Sequence, residues 1–215
     1  MKIGLLSDSH GELENLRRAA QALADKVGLI VHLGDDWDDC KVLEEMGLRF
    51  IRVPGVFSSY YQDPQIPNRR VEEFDGWRVL LSHTPTFHKN DLPQDIKPEV
   101  VVAGREVDVV LYGHTHIPKI EGAEGVLWVN PGHLKSEDKK GYPPTYAILD
   151  FGPQEVQVSI FSLKEGSLFA QGSFRRCGPL VAKSSAASPS PSTICSPNQG
   201  RLSRLSPVSV VSTPR

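Results

Sequence analysis

The sequence has little of what marks secreted and membrane proteins. It contains three cysteines, Cys40, Cys177 and Cys195, and they are too few and too widely spaced for a disulfide framework or a CxxC metal site. Its first apolar run, IGLL, is far too short for a signal peptide, and no later run reaches the roughly 20 residues of a membrane span. We therefore expect a cytoplasmic protein that does not enter a membrane.

Positive charge is also scarce in the body of the chain. The formal net charge is −2, and residues 181–215 hold four basic residues and no acid, so residues 1–180 carry 20 basic residues against 26 acidic ones, a net −6. An acidic body has no general electrostatic hold on a nucleic-acid backbone. A general nucleic-acid-binding domain is therefore disfavoured, whereas phosphate chemistry remains open if metal ions supply local positive charge.

The last part of the chain lacks aromatic residues as well as acids. Residues 181–215 contain ten serines and five prolines. Such a segment cannot bury enough apolar surface to offset its chain entropy. We predict a Ser/Pro-rich disordered tail over residues 179–215 after a globular domain over residues 1–178, because the length suits one domain and hardly two.

The body of the chain alternates between strand-like and helix-like patterns. Apolar spacing predicts helices over residues 12–27 and 38–47, and a partly helical stretch over 93–107 that Pro98 interrupts. Strands are predicted over residues 2–7, 28–33, 48–53, 107–112 and 125–130, with hairpins around Asp75-Gly76 and Gly152-Pro153. This order indicates an α/β (α+β) fold, with helices packed on a mixed sheet.

Four of the apolar runs end in aspartate or histidine: LLSDSH, VHLGDD, VLLSH and VLYGHTH. In an extended chain residues i and i+2 point the same way, so the two members of DSH, and the two histidines of HTH, would face the same space. Ligands of open α/β sheets bind outside the carboxyl ends of strands. We therefore expect one group of side chains there: Asp8, His10, Asp35, His83, His114 and His116.

Imidazole and carboxylate ligands together indicate a divalent-metal site, because they suit Mn, Fe, Zn and Ni. The group exceeds what one tetrahedral zinc needs, so two ions sharing a bridging carboxylate are predicted. Such a pair can turn a bridging water into hydroxide for attack on a phosphoryl group. Taken singly, each histidine can be a structural group and each aspartate a helix N-cap. The occurrence of all four motifs at strand ends favours the metal site.

These motifs together resemble the calcineurin-like metallophosphoesterase superfamily, and GHTHIP and VNPG resemble its small prokaryotic YfcE-type phosphodiesterase branch over about residues 1–163. The resemblance implies a hydrolase with a β-sandwich of two mixed sheets flanked by helices. It also implies two divalent ions, Mn²⁺ first, with Zn²⁺, Ni²⁺, Fe²⁺ or Mg²⁺ as alternatives. Asp8, His10 and His116 would hold one ion, His83 and His114 the other, and Asp35 would bridge them. The implied partner is a small phosphodiester or phosphomonoester substrate, and a homo-oligomer is open.

One motif of this family is altered. The family has GNHD or GNCD after its third strand, whereas here Gly55 is followed by Val56, Phe57 and Ser58. The asparagine ligand and the histidine that protonates the leaving group in larger relatives are therefore absent. The second ion can bind with fewer ligands, another residue can fill the gap, or the site can be inactive.

Several nearby residues are candidates for the missing roles. His88 is our preferred substitute ligand or general acid, with a surface loop histidine as the alternative. Phe57 would dry the pocket and favour aromatic groups on the substrate. Arg69 is either a phosphate clamp or part of a solvated charge pair. His133 would support a ligand or contact the substrate.

Two functions compete on this sequence. The first is a metal-dependent phosphoesterase, most of all a phosphodiesterase. The second is a catalytically weakened phosphoesterase-like scaffold or interaction module, similar to the phosphoesterase-like subunit of the eukaryotic retromer coat. Because six of the seven expected ligand positions are intact, the enzyme is favoured.

Overall fold

The computed structural model describes residues 1–176 as two β-sheets packed face to face. The first sheet has six strands, in the order β11 (Leu168–Arg175), β10 (Glu155–Ser162), β9 (Thr145–Phe151), β1 (Lys2–Leu6), β2 (Leu29–His32) and β3 (Phe50–Arg52). The second has five, in the order β4 (Arg69–Phe74), β5 (Trp77–Ser82), β6 (Val109–Leu111), β8 (Val126–Asn130) and β7 (Lys119–Ala123). The predicted tail over 179–215, and the end of the predicted domain at residue 178, lie outside the described residues.

The main core fills the space between the two sheets. Alternate residues of a strand point to one face, and here they supply Val79 and Leu81 from β5 and Val156 and Val158 from β10, all fully buried. Trp77 is also fully buried, and its indole N–H donates to the carbonyl of Gly152 at 2.7 Å, so its one polar atom is satisfied. Two mixed sheets around one core confirm the predicted sandwich.

Helices cover the outer faces of the sandwich. Helices α1 (Leu13–Ala24) and α2 (Lys41–Glu45) pack on the first sheet, where Leu16, Ala20 and Leu23 of α1 meet Leu6 and Ile30. Helix α3 (Pro98–Ala103) packs on the second sheet. Short 3-10 turns occupy Trp37–Cys40 and Ser59–Gln62.

The predicted elements differ from the structure in a few places. Pro98 begins α3 rather than interrupting a helix, because the first helical N–H has no acceptor within the helix and a proline there loses nothing. Strands β7 and β11 were not predicted, since both are edge strands whose side chains are largely exposed. Among the described helices, none combines the length and hydrophobicity that crossing a membrane requires.

Two sets of parallel strands define the edge that matters for function. Strands β1, β2 and β3 are parallel in the first sheet, and β5, β6 and β8 are parallel in the second. Hydrogen bonds between the loops after these strands join the sheets. The His83 ring donates to the carbonyl of Leu33 at 2.7 Å, and the amide of His114 donates to the carboxylate of Asp8 at 3.0 Å. Both sets of carboxyl ends therefore meet in one place.

Candidate metal centre

The six side chains predicted to converge do lie together at this edge. Asp8 and His10 follow β1, and Asp35 follows β2 in the same sheet. His83 follows β5, and His114 and His116 follow β6 in the opposite sheet. The group is thus built from loops of both sheets.

Four of these side chains form a tight cluster. Asp8, His10, Asp35 and His116 offer ligand atoms that all lie within 4.8 Å of one another. His10 Nε2 is 2.7 Å from Asp35 Oδ2 and 2.9 Å from His116 Nε2. His116 Nε2 is in turn 3.3 Å from Asp8 Oδ1. Such convergence of imidazole nitrogens on carboxylates is the donor set of a divalent cation.

His83 adjoins this cluster through Asp35, and His114 packs against His83. His83 Nε2 is 3.1 Å from Asp35 Oδ1, and the rings of His83 and His114 are 5.1 Å apart. Asp35 therefore presents one carboxylate oxygen to His10 and the other to His83. This placement suits a carboxylate shared between two ligand subsets.

The state of His83 indicates that a cation fits here. Its Nδ1 donates to the Leu33 carbonyl, so a neutral ring carries no proton on Nε2. That nitrogen is buried and has no hydrogen-bond partner of acceptable geometry among the described residues. Burial lowers the pKa of His83, but the carboxylates of Asp35 and Asp8, with the Leu33 carbonyl, outweigh burial and raise the pKa overall. A positive charge is favoured at this point, which a metal ion would supply.

The electrostatics of Asp35 agree with this. Burial raises the pKa of Asp35, but the facing imidazoles of His10 and His83, at 2.7 and 3.1 Å, outweigh burial and hold the pKa far below its usual range. The carboxylate thus stays ionised. His116 shows the complementary effect, because its hydrogen bond to Asp8 raises its pKa to about 9. Both shifts indicate a negative centre that attracts cations.

The backbone of the site is unusual. Asp8, His10, His114 and His116 have φ angles of 54°, 49°, 63° and 60°, in the left-handed region. The expectation that Asp8 and His10, and likewise His114 and His116, share a face of an extended chain is therefore wrong. Strand β1 ends at Leu6 and β6 at Leu111, and the residues of both pairs are left-handed. Asp and His tolerate this region better than most residues, yet each such residue costs about 1–3 kcal/mol.

Two glycines allow loops of the site to pack closely against each other. A Cβ on Gly113 would lie 1.9 Å from Ser7 Oγ and 2.6 Å from Asp8 Oδ2. A Cβ on Gly55 would lie 2.4 Å from the Cα of Asp35. Gly55, the part of the altered motif that matches the family, is thus needed for packing against Asp35.

Two carboxylates that sequence reasoning missed position the loops. Asp138 Oδ1 is 2.7 Å from His116 Nδ1, an outer carboxylate that orients the ring. Asp39 accepts hydrogen bonds from Ser9 Oγ at 2.6 Å and Gly11 N at 2.9 Å, which hold the loop carrying His10. Asp138 belongs to the run SEDKK, which is typical of a solvated surface. No sequence signal distinguishes it.

The structure places His133 beneath the site. Its ring is buried and lies 5.3 Å from that of His116. Nε2 donates to the carbonyl of Tyr142 and Nδ1 accepts from Lys135 N, both at 3.1 Å. Because both ring nitrogens are occupied internally, His133 supports His116 and does not face a substrate.

Arg69 has a different role from the two considered for it. Its guanidinium is 0% exposed and pairs with Asp91 at 2.8 Å, whose carboxylate is 2% exposed. It also donates to Ser82 Oγ and Thr84 Oγ1, both at 2.9 Å. A guanidinium satisfied in this way is neither a phosphate clamp nor a solvated pair, and we assign it a structural role.

The altered motif has one buried and one exposed member. Val56 is 2% exposed, whereas Phe57 is 74% exposed. The Phe57 ring lies 6.3 Å from His114 and 5.8 Å from His88. The expectation that Phe57 dries the pocket is therefore wrong, because most of its surface faces solvent beside the predicted ligand His114.

A family model described as "Calcineurin-like phosphoesterase superfamily domain" matches residues 1–153. Phosphodiesterase YfcE of Escherichia coli K12 is 34% identical over 193 residues, covering 80% of this chain and 97% of that protein. A solved structure of this relative, described as a phosphoesterase, has a TM-score of 0.58 at 26% identity and covers 80% of this chain and 98% of that one. Phosphodiesterase MJ0936 of Methanocaldococcus jannaschii is 29% identical over 174 residues, covering 73% of this chain and 97% of that protein.

A further solved structure is related by fold alone. Vacuolar Protein Sorting 29 from Cryptosporidium parvum has a TM-score of 0.61 at 19% identity, and the match covers 81% of this chain and 98% of that one. This likeness confirms the architecture of two mixed sheets with few helices.

Proposed function

Because the chain belongs to the calcineurin-like phosphoesterase superfamily, we propose that it is a metal-dependent hydrolase of phosphoric esters that acts on small phosphodiesters and small phosphomonoesters. The observation that carries the proposal is the Asp35 carboxylate, with one oxygen facing His10 and the other facing His83. The similarity to two proteins named phosphodiesterases supports diesters as the main substrates. We place the activity in residues 1–178.

In this proposal the site holds two divalent ions, with Mn²⁺ as the first to test. Asp8, His10 and His116 would hold one, His83 and His114 the other, and Asp35 both. Bound there, such ions would supply an activated water as nucleophile and neutralise charge on the phosphoryl oxygens.

The protein's own contribution is to hold these side chains ready. Asp138 orients His116, the Leu33 carbonyl orients His83, and the His114 amide orients Asp8. Ligands fixed before binding lose little entropy when an ion arrives.

The replacement of asparagine by Val56 weakens one half of this site. The second subset keeps His83, His114 and a share of Asp35, and three protein ligands with an open position are chemically sufficient. We propose that the second ion binds less tightly than the first.

The test is hydrolysis of bis(4-nitrophenyl) phosphate by metal-stripped protein resupplied with Mn²⁺. Turnover is expected to return, and Asp35→Asn to lower it at least about a hundredfold, since even residues behind metal ligands contribute about 10–100-fold. Asp36→Asn is the matched control, because it removes the same charge from an exposed neighbour, and it is expected to keep wild-type activity.

The competing scaffold function predicts a different result. A protein that stays inert with Mn²⁺, Zn²⁺ and Ni²⁺ would overturn the proposed activity. Calorimetric titration of each ion then separates a metal site without turnover from no metal site at all.

A further inference from the structure

His88 lies beside the candidate metal centre, on the turn that follows β5. Its ring is 6.0 Å from that of His114 and 5.8 Å from that of Phe57, and it is only partly exposed. It is therefore on the side of the centre where Val56 and Phe57 replace the family's polar residues.

The hydrogen bond at its other ring nitrogen decides what His88 can do. The backbone N–H of Asn90 donates to His88 Nδ1 at 3.2 Å. A nitrogen that accepts has no proton, so the neutral ring carries its proton on Nε2, at the tip of the side chain. A protonated Nε2 cannot ligate a metal. In this arrangement the ring offers one N–H, at Nε2.

The turn that carries His88 is anchored in the protein interior. Asp91 Oδ2 accepts from the His88 amide at 3.1 Å and pairs with Arg69 at 2.8 Å. Tyr61 donates its hydroxyl to Asp91 Oδ1 at 2.6 Å. Because Arg69 and the Asp91 carboxylate are almost completely buried, this pair fixes the turn's position.

The same turn is tied to the altered motif. The Asn90 side-chain amide donates to the carbonyl of Val56 at 2.9 Å. The segment that lacks the asparagine ligand and the turn that presents His88 therefore form one connected unit.

We propose that the neutral His88 Nε2–H donates a hydrogen bond to a non-bridging phosphoryl oxygen of the substrate, and that this fixed donor replaces part of the charge stabilisation that Val56 and Phe57 cannot provide. The proposal rests on the proposed function. The proton remains on Nε2 throughout, so no proton is transferred. Removing one such preorganised donor costs about 10²–10³ in rate in other enzymes.

The first test measures the tautomer directly. In ¹⁵N NMR spectra of metal-free protein, His88 is expected to show a protonated Nε2 and an unprotonated, hydrogen-bond-accepting Nδ1. A proton on Nδ1 would overturn the proposal, because Nε2 would then be free to ligate a metal.

The second test compares His88→Gln with His88→Ala in the Mn²⁺-loaded protein. Glutamine keeps a neutral N–H donor at similar reach, so it is expected to stay within about tenfold of wild type, while alanine loses about a hundredfold. The loss of rate in His88→Ala should be equal for leaving groups of different acidity. Lys89 is an exposed neighbour, and Lys89→Ala should leave the rate unchanged.

Two other roles for His88, proton donor and metal ligand, predict different results for these variants. A proton donor would make the alanine loss grow with the pKa of the leaving group, without rescue by glutamine. A metal ligand would lower the bound metal per chain in His88→Ala, measured by elemental analysis. Either pattern contradicts the proposal.

Binding of inorganic phosphate separates this inference from the proposed function. In the Mn²⁺-loaded protein, phosphate affinity should fall in His88→Ala and persist in His88→Gln, even if wild-type protein hydrolyses no ester. Unchanged affinity in both variants would overturn the role of His88 while leaving the phosphoesterase proposal to its own assay.

Discussion

At the scale of single residues, Asp138 shows how the ligands depend on partners behind them. It pairs with His116 through a carboxylate that is 6% exposed. Replacing Asp138 by asparagine removes the charge that orients and polarises this ring. We expect Asp138→Asn to weaken Mn²⁺ binding about 10–100-fold in calorimetric titration.

Glu137→Gln is the control for this variant, because it removes an exposed acid one position away. It should leave Mn²⁺ affinity unchanged. Equal affinity in wild type and Asp138→Asn would mean that His116 needs no carboxylate behind it.

His32 is a second residue with a measurable effect, in this case on stability. Burial lowers its pKa to about 4, and the attraction of Asp39 only partly opposes this. In the unfolded chain the pKa is near 6.5, so between pH 6.5 and 4 the unfolded state binds more protons. The free energy of unfolding should therefore fall as the pH falls through this window, by up to roughly 3 kcal/mol.

The variant His32→Leu has no group to titrate at this position. Urea denaturation at pH 7 and pH 5 should show a smaller loss of unfolding free energy in the variant than in wild type. Parallel losses in the two proteins would refute the assignment.

The sequence indicates the predicted ligands but not the carboxylates that position them, Asp138 and Asp39. The reason is physical. Asp8 and His10, like His114 and His116, stand two positions apart just after an apolar run, so their motif is local. Asp138 reaches His116 from 22 positions away and Asp39 reaches Ser9 from 30. Contacts across such separations depend on the folded arrangement of loops, which no short pattern encodes.

At the scale of elements, the loop after β6 fits against the loop after β1 only because residue 113 is glycine. A Cβ there would strike Ser7 and Asp8, which are fully buried and cannot move aside. We expect Gly113→Ala to lower the free energy of unfolding by about 1–3 kcal/mol and to displace the ligand loop. Urea denaturation and Mn²⁺ titration measure the two effects.

Gly28→Ala serves as the control, since a Cβ at Gly28 meets nothing within 4 Å. It should match wild type in both measurements. If Gly113→Ala also matches wild type, the close approach of the two loops is not needed.

The elements themselves differ in how well the sequence predicts them. Helix α1 and the buried strands follow clear apolar periods, so their positions are confirmed. Edge strands β7 and β11 expose most of their side chains and carry too weak a pattern to be identified. Pro98 interrupts a helix that begins before it but suits the first position of a helix that begins at it. Which of the two occurs depends on packing, and here the helix begins at Pro98.

At the scale of the whole molecule, the site joins the two sheets. Asp8, His10 and Asp35 belong to one sheet's loops, and His83, His114 and His116 to the other's. A ligand that binds only the folded state stabilises it by about 2.7 kcal/mol at a hundredfold excess over its Kd. We expect the Tm of metal-stripped wild-type protein to rise with Mn²⁺ concentration.

Thermal scans over a series of Mn²⁺ concentrations check this expectation. The rise should vanish in Asp35→Asn and persist in Asp36→Asn. A rise of equal size in Asp35→Asn would show that Mn²⁺ binds elsewhere.

The pairing of strands into two sheets is the part of the fold that patterns alone do not give. β1 pairs with β9, whose residues lie far along the chain, as well as with β2. Alternation of polar and apolar residues predicts that a strand exists but not which neighbour it takes. The resemblance of the strand-end motifs to a known family supplied the sandwich of two mixed sheets, which the structure confirms, but not the pairing of individual strands.

The left-handed backbone at Asp8, His10, His114 and His116 has an evolutionary consequence. Glycine adopts these angles without steric cost, so a descendant with no use for the side chains would gain stability by losing them. Selection for stability and selection for function thus act in opposite directions at these four sites. A lineage drifting toward a purely structural role should therefore accumulate glycine and asparagine there early, which makes these positions an indicator of whether a relative still depends on its site.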